Sequence, residues 1–366
     1  MITEKKNQHF IPKFYLRNFS CNNNGKQIGV FNVDNEIYIK SAKLKTQGSK
    51  NFFYGYDGLI ENRLADIEGE LAPIIKSIID TKTLPQRDSK EHFFLLGFVI
   101  LTNLRNPVKI EYMKNSMIEM KRRLLEMDPN VDTNKFVPDI SHEEVVKMSL
   151  SNVVDLIENI TDLEYKLLIN ETNTPFITSD FPILKYNQFL ESKNWPLSRS
   201  GYATVGLQIF IPLNSKILIM LYDSGIYKLG NRKQKCFSIT KPKDIDEINI
   251  LHFLNCFNTI FFDDKASEKY IRRLLQKSEK YKRANVTTSE LSYVSNQSLD
   301  EHEIEKTVDK NLIILGSTGC NTKLMVDGLK VHTKGQSYKF DNSAVQPRPH
   351  NKRLMGNDSN PSGTYL

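Results

Sequence analysis

The sequence predicts an α+β protein in which long helices pack on a mainly antiparallel sheet. Two observations carry this: apolar residues recur at helical spacing across residues 57–126, and two pairs of short β-rich runs with compact turns occupy residues 165–222. With 366 residues, 39% of them hydrophobic, the chain is long enough to bury a core without covalent staples. We divide it into one domain over residues 7–284, a C-terminal extension over 285–345 and a disordered tail over 346–366. In that tail Pro347, Pro349, Pro361 and several asparagines take the place of apolar residues.

The N-terminal stretch, residues 7–20, is dense and aromatic, with Tyr15, Leu16 and Phe19 at helical spacing behind Pro12. A polar loop over 21–25 leads into residues 27–32 and 36–40, which read as a hairpin. Lys43, Lys45 and Lys50 then flank Phe52, Phe53 and Tyr54. Basic residues among aromatics suit stacking on single-stranded nucleic acid, although such a cluster reads first as core. From Asp57 onward, Ile60, Leu64, Ile67, Leu71, Ile74 and Ile78 draw one apolar stripe, with Glu61 and Glu68 nearly in line on its flank.

A second helix, capped by Ser89, is apolar on every side from 93 to 101 and therefore belongs at the centre. Arg105 follows directly, and a buried guanidinium needs an anion, either a carboxylate of the protein or a phosphate of a ligand. Pro107 breaks the helix at Asn106, and helical pattern resumes over 108–126. Ser141-His142-Glu143-Glu144 is a capping box that opens a helix to about Ile160. Beyond it, residues 165–170 and 175–178 form one strand pair, and 207–213 with 216–222 another. A helical stretch over 244–281, divisible at Asp263-Asp264, completes the domain, and 313–316 and 326–331 are strand candidates in the extension.

Fifty basic against forty-three acidic residues give a net charge of +7, which attracts phosphate at long range without specifying a nucleic acid. Cys21, Cys236, Cys256 and Cys320 stand far apart without Cys-x-x-Cys spacing, so a zinc knuckle and a disulfide framework are both disfavoured. No basic-apolar-small leader precedes the first motif, and the longest apolar run, 93–101, falls far short of the ~20 residues a bilayer requires. We therefore expect a cytoplasmic protein with no membrane partner. Neither a phosphate-binding glycine loop nor His-Glu-x-x-His nor Gly-x-Ser-x-Gly occurs, and glycine-poor turns argue against a dinucleotide cofactor.

Four separated pieces point to a family: Gln8-His9-x-x-Pro12 with Tyr15-Leu16-Arg17-Asn18-Phe19 behind it; Ile60-Glu61 repeated as Ile67-Glu68; Arg105; and Thr178-Ser179-Asp180-Phe181-Pro182. Together they resemble the signature of a mostly bacterial family, domain of unknown function 4238, from residue 7 to about 282. The chain departs from that pattern at Asn106, where threonine is usual, and at Phe181, where asparagine is the commoner residue. The resemblance implies a family and no activity. If the pieces converge, His9 is the general acid or base, Arg105 the anion clamp and Asp180 the carboxylate that orients the histidine, with Gln8, Tyr15 and Ser179 on the substrate. With Asp180 beside Glu61 or Glu68, the same set describes a site for magnesium.

The expected function is a nuclease-like effector acting on a phosphodiester, RNA ahead of DNA, in host defence or a toxin-like system. The alternative is a non-catalytic module that binds a nucleotide or nucleic acid. A third reading is structural, with His9 a core histidine bonded to Asp180.

Overall fold

The structure, a computed structural model, describes residues 6–195, 199–292, 314–318, 320–332, 335 and 346–357. The chain opens with strand β1 (Asn7–His9), helix α1 (Lys13–Arg17), the hairpin β2 (Gln27–Asn32) and β3 (Ile37–Lys43), and β4 (Ser49–Asn51). Helices α2 (Leu59–Thr81), α3 (Lys90–Leu104), α4 (Pro107–Met127), α5 (His142–Ser151) and α6 (Val153–Glu158) follow. The middle contains β5 (Glu164–Asn170), β6 (Thr178–Ser179), β7 (Leu184–Tyr186), α7 (Gln188–Ser192), β8 (Gln208–Pro212), β9 (Ile217–Tyr222), β10 (Tyr227–Leu229) and β11 (Cys236–Ile239). The last part holds α8 (Pro242–Asn255), β12 (Thr259–Phe262), α9 (Glu268–Ser278), β13 (Asn285–Ser292), β14 (Ile314–Thr318), β15 (Leu329–Val331) and α10 (Pro349–Asn357). The protein is thus mixed α and β, with ten α-helices and several mostly antiparallel sheets among the described residues.

The central sheet has the order β11-β5-β9-β8-β7, and every pairing is antiparallel except β11 with β5. Strand β9 shows why its sequence is an unbroken apolar run. Ile217, Ile219 and Leu221 share one core with Leu71 and Ile75 of α2 and Leu95 and Val99 of α3. Leu218, Met220 and Tyr222 share the other core with Ile248 and Leu251 of α8 and Ile271 and Leu274 of α9. Side chains alternate across a strand, so both faces of β9 must be apolar when both are covered.

Helix boundaries follow local chemistry. The Ser89 hydroxyl accepts from His92 N at 3.2 Å, and Ser141 with Glu144 forms a complete capping box. The axes of α3 and α4 bend by 56°; Asn106 caps α4 through Val108 N at 3.0 Å, and Pro107 stands at its first turn, where its missing N–H costs nothing. No single helix among the described residues is long and apolar enough to cross a membrane.

Several elements differ from the sequence expectation. Residues 244–281 do hold two helices, α8 and α9, but the stretch between them is not helical: it carries β12, in the middle of a four-stranded antiparallel sheet of order β3-β2-β12-β6. Thr259-Ile260-Phe261-Phe262 is β-branched and aromatic, which suits a pleated strand better than a helix. The strand expected at 175–178 does not pair with β5, because Asn170 Nδ2 closes the bend onto Thr174 O (2.6 Å) and Ser215 O (3.0 Å). Thr178 and Ser179 join β12 instead.

The helix expected to run to Ile160 is interrupted at Asn152. In the extension, β14 pairs with β13 and β15 with β10. Residues 346–357, read as part of a disordered tail, carry α10. Arg348 is buried there and donates to Asp162 (2.8 and 2.9 Å) and to Thr204 O (2.9 Å). The rest of that tail, 358–366, lies outside the described residues.

Candidate functional site

Strand β1 is short and depends on β4, which places Gln8 opposite Lys50 and His9 opposite Ser49. The chain enters β4 through Gly48 at φ +60°, whose carbonyl accepts from Phe10 N (2.9 Å) and Ile11 N (3.1 Å) just beyond β1. A Cβ on Gly48 would stand 2.9 Å from the Ile11 Cβ, so the position excludes a side chain. Gln8 is fully buried and clips the next bend, with Oε1 accepting from Tyr54 N (2.5 Å) and Nε2 donating to Gly55 O (3.0 Å). Both ends of its amide are engaged with backbone, in place of the substrate contact expected of it.

The Tyr54 hydroxyl donates to His9 O at 3.0 Å, and His9 Nε2 lies 3.1 Å from Lys45 O. A carbonyl only accepts, so Nε2 carries the proton and the neutral ring leaves Nδ1 as an acceptor. Burial, then the Lys13 charge and more weakly Arg105, hold the imidazole down to about 4. His9 is therefore neutral at pH 7. The carbonyl of Lys45, and not Asp180, selects its tautomer.

Arg105 is 2% exposed, and its Nη1 lies 2.7 Å from Glu68 Oε1. The anion it requires is thus a carboxylate of the protein, and of Glu61, Glu68 and Asp180 in the motif pieces it is Glu68 that meets it. Burial works against the guanidinium charge, and Tyr54 and Glu68 outweigh it. Glu61 acts on the same cluster through the electrostatics of Tyr54. Among the described residues no three of His, Cys, Asp and Glu gather into a metal-binding set. Glu68 serves Arg105 while Asp180 is engaged elsewhere, so the arrangement expected for magnesium is not assembled.

The second motif is more completely committed. Tyr15 is buried with its hydroxyl 2.8 Å from Thr178 Oγ1, which leaves it no face for a substrate. Ser179 Oγ donates to Phe181 O (2.9 Å), accepts from Phe181 N (3.2 Å) and lies 3.0 Å from His252 Nδ1. Asp180 Oδ1 accepts from Phe257 N (2.7 Å), and Oδ2 from Asn258 N and Thr259 N (both 2.9 Å). Burial pushes this carboxyl up to about 6 against the pull of those three donors.

Asn106, standing where the family usually has threonine, donates from Nδ2 to Asp180 O at 2.6 Å while its Oδ1 caps α4. It ties the Arg105 piece to the second motif. His252, which sequence reasoning did not single out, is fully buried on α8 and is held down to about 3 by burial. Its Nε2 has no hydrogen-bond partner among the described residues. A lone histidine in an apolar helix carries no sequence signal, and the Ser179–His252 pair is sealed in the core, out of reach of a substrate.

What both motifs deliver to the surface is a contact that neither contains. Phe257 is 57% exposed, yet its N–H is held by Asp180 and its carbonyl accepts from Arg283 Nη2 at 2.8 Å. The Lys50 ammonium lies 6.0 Å from the centre of that ring. Lys50 is placed by its pairing with Gln8, and Phe257 by the Asp180 clamp. A groove between α2 and the start of α3, lined by Pro73, Ile74, Ile78 and Leu84, includes none of the motif residues.

No curated protein and no solved structure matches the chain. A family model described as "Protein of unknown function (DUF4238)" matches residues 7–266, well over half of the sequence and ending just before α9. It spans both motifs, the Arg105 junction and the turn that carries Phe257. The chain therefore belongs to the DUF4238 family.

Proposed function

We propose that the protein binds a phosphodiester ligand, single-stranded RNA ahead of DNA, on the face where Lys50 meets Phe257. The observation that supports this is an exposed aromatic ring whose peptide is anchored on both sides, with an ammonium over it. Exposed apolar rings are usually mobile or covered; one held rigid beside a cation offers a base a stacking surface and its phosphate a counter-charge. Lys13 and Arg105 add positive potential at neighbouring His9.

Cleavage is the second reading, and His9 is the observation that favours it. A neutral imidazole with Nδ1 as acceptor has the protonation state of a general base toward a ribose 2′-hydroxyl, which is why RNA ranks first, but its depression to about 4 makes it a weak base. In that step His9 Nδ1 would take the 2′-proton as the 2′-oxygen bonds to phosphorus, and the bond to the 5′-oxygen would break, that oxygen leaving with a proton from water. Arg105 and Asp180 lend this reading less support than expected, since Glu68 and the 257–259 backbone occupy them. Binding is therefore the better-supported function.

Fluorescence anisotropy with labelled RNA and DNA oligonucleotides tests it. Phe257→Ala should weaken RNA binding by roughly tenfold, as expected for one lost base–aromatic stack. Lys50→Glu should weaken it and flatten the salt dependence. His9→Ala should remove any cleavage while leaving binding in place. If the wild type binds no oligonucleotide, or Phe257→Ala binds as tightly, this reading fails.

A further inference from the structure

The aromatic cluster that follows Lys50 divides in the structure. Phe53 and Tyr54 are buried in the core, whereas Tyr56 is 60% exposed. Phe52 is half-buried, and its ring centre lies 4.4 Å from that of Tyr56 with the planes 32° apart. The bend that carries this pair is tied down on several sides. Phe52 N donates to Lys6 O (2.8 Å), Gly55 N donates to Phe52 O (3.1 Å), and the Gln8 amide clips Tyr54 N and Gly55 O. Phe52 itself is held at φ +50°, a conformation that a bulky side chain keeps only where its surroundings impose it.

The chain itself joins this bend to the Lys50–Phe257 face. Lys50 Nζ lies 6.0 Å from the centre of the Phe257 ring, and Phe52 follows Lys50 by two residues, which reach at most ~7 Å. The bond from Phe52 N to Lys6 O continues the β1–β4 ladder and sets exposed Lys6 beside Phe52. Rings and lysines thus alternate: Phe257, Lys50, the Phe52–Tyr56 pair, Lys6. A single strand offers bases and phosphates in the same alternation, and a duplex hides its bases from such a surface. Glu143, packed against Gly55, meets Lys147 at 2.7 Å, and Asp57 accepts from Leu59 N at 2.9 Å, so each of these carboxylates has a donor of its own. We propose that the Phe52–Tyr56 pair is a second base-stacking subsite, so that the protein holds at least two unpaired bases of one RNA strand with the Lys50 ammonium on a phosphate between them. This rests on the nucleic-acid reading above and extends its ligand beyond one nucleotide. Buried Gln8 then acts as Asp180 does, each holding a bend that presents a ring outward.

Fluorescence anisotropy of the full chain with labelled decauridylate, and with uridine 5′-monophosphate as unlabelled competitor, tests the proposal. Decauridylate should bind far more tightly than the mononucleotide, which fills one subsite. Tyr56→Ala should weaken decauridylate binding roughly tenfold, as expected for one lost stack, and should leave Tm unchanged because the side chain is exposed. Tyr56→Phe keeps the ring without the hydroxyl and should bind as the wild type does. Combined with Phe257→Ala, Tyr56→Ala should lose roughly the product of the two effects, about a hundredfold, since the two stacks are separate. If the wild type binds no oligonucleotide, the nucleic-acid reading fails and this inference with it. If Phe257→Ala weakens binding and Tyr56→Ala does not, the second subsite alone is overturned. Binding as weak in Tyr56→Phe as in Tyr56→Ala also overturns it, because the hydroxyl and not the ring would then carry the contact.

Discussion

The segment around Gln8 and His9 keeps one polar atom uncommitted, whereas the segment 178–182 commits nearly all of its own. His9 Nε2 is spent on Lys45 O and Nδ1 is left as an acceptor. Asp180 spends both carboxylate oxygens on three backbone N–H groups, and Ser179 Oγ is shared between Phe181 and His252. Residue types that suit catalysis thus do different work within one family signature. A bend such as 257–259 has backbone donors that must be satisfied, and an aspartate that satisfies them has no lone pair well placed for anything else. The same asymmetry separates Gln8, saturated by Tyr54 and Gly55, from its neighbour His9.

The largest test of that contrast is Asp180→Ala, which leaves three N–H groups without an acceptor. It should lower stability in urea titrations by ~4 kcal/mol, at ~1–3 kcal/mol for each unsatisfied group with partial rescue by water. A loss below ~1 kcal/mol would mean that the carboxylate does not hold the turn.

His9 gives the next effect, and it depends on pH. Its folded pKa, about 4, is depressed from 6.5, so the unfolded chain binds more protons between those values. Its contribution is fully present above pH 6.5 and is lost as pH falls through 4. The drop from 6.5 to 4 corresponds to about 3 kcal/mol at ~1.4 kcal/mol per unit. His9→Gln keeps a donor for Lys45 O and cannot titrate, so its stability should fall less across this range, by about that amount. Identical acid limbs for the two proteins would show that the ring is solvated. His252 is present in both proteins and cancels from the difference.

Arg105→Met is the smallest of the three. Its partner Glu68 has a side chain about a quarter exposed, 24%, so water can take over part of the lost interaction. A loss of ~2 kcal/mol is expected, below the range for a fully buried pair. A change within ~0.5 kcal/mol, together with weaker RNA binding, would move Arg105 from scaffold to ligand clamp.

Legibility differed by element for physical reasons. The apolar stripe of α2, the all-apolar α3 and the caps at Ser89 and Ser141 were readable because each is governed by residues within a turn or two. Strand β12 was misread as helix because a four-residue apolar run has too little length to display a period. Arg348 was overlooked because its partner Asp162 is 186 residues away, and a proline-rich composition says nothing of a single long-range ion pair. At the site, the sequence supplied His9, Arg105 and Asp180 as residues of interest and Glu68 among the candidate partners of Arg105, but not the backbone partners of His9 and Asp180. Lys50 and Phe257 were legible only as a basic residue near aromatics and an unremarked phenylalanine.

The sequence by itself determined the family, the mixed α and β character, the break at Asn106-Pro107 and the helix that must lie at the centre. These depend on local steric rules and on periodicity, which are written along the chain. Only the tertiary structure decided which acceptor each polar group meets. Asp180 reaches backbone 77 to 79 residues away, Arg105 a glutamate 37 away, and Gln8 the bend at Tyr54 and Gly55, 46 and 47 away. A hydrogen bond is a matter of ångströms and direction. No spacing in the sequence encodes it until packing has brought distant strands and helices together.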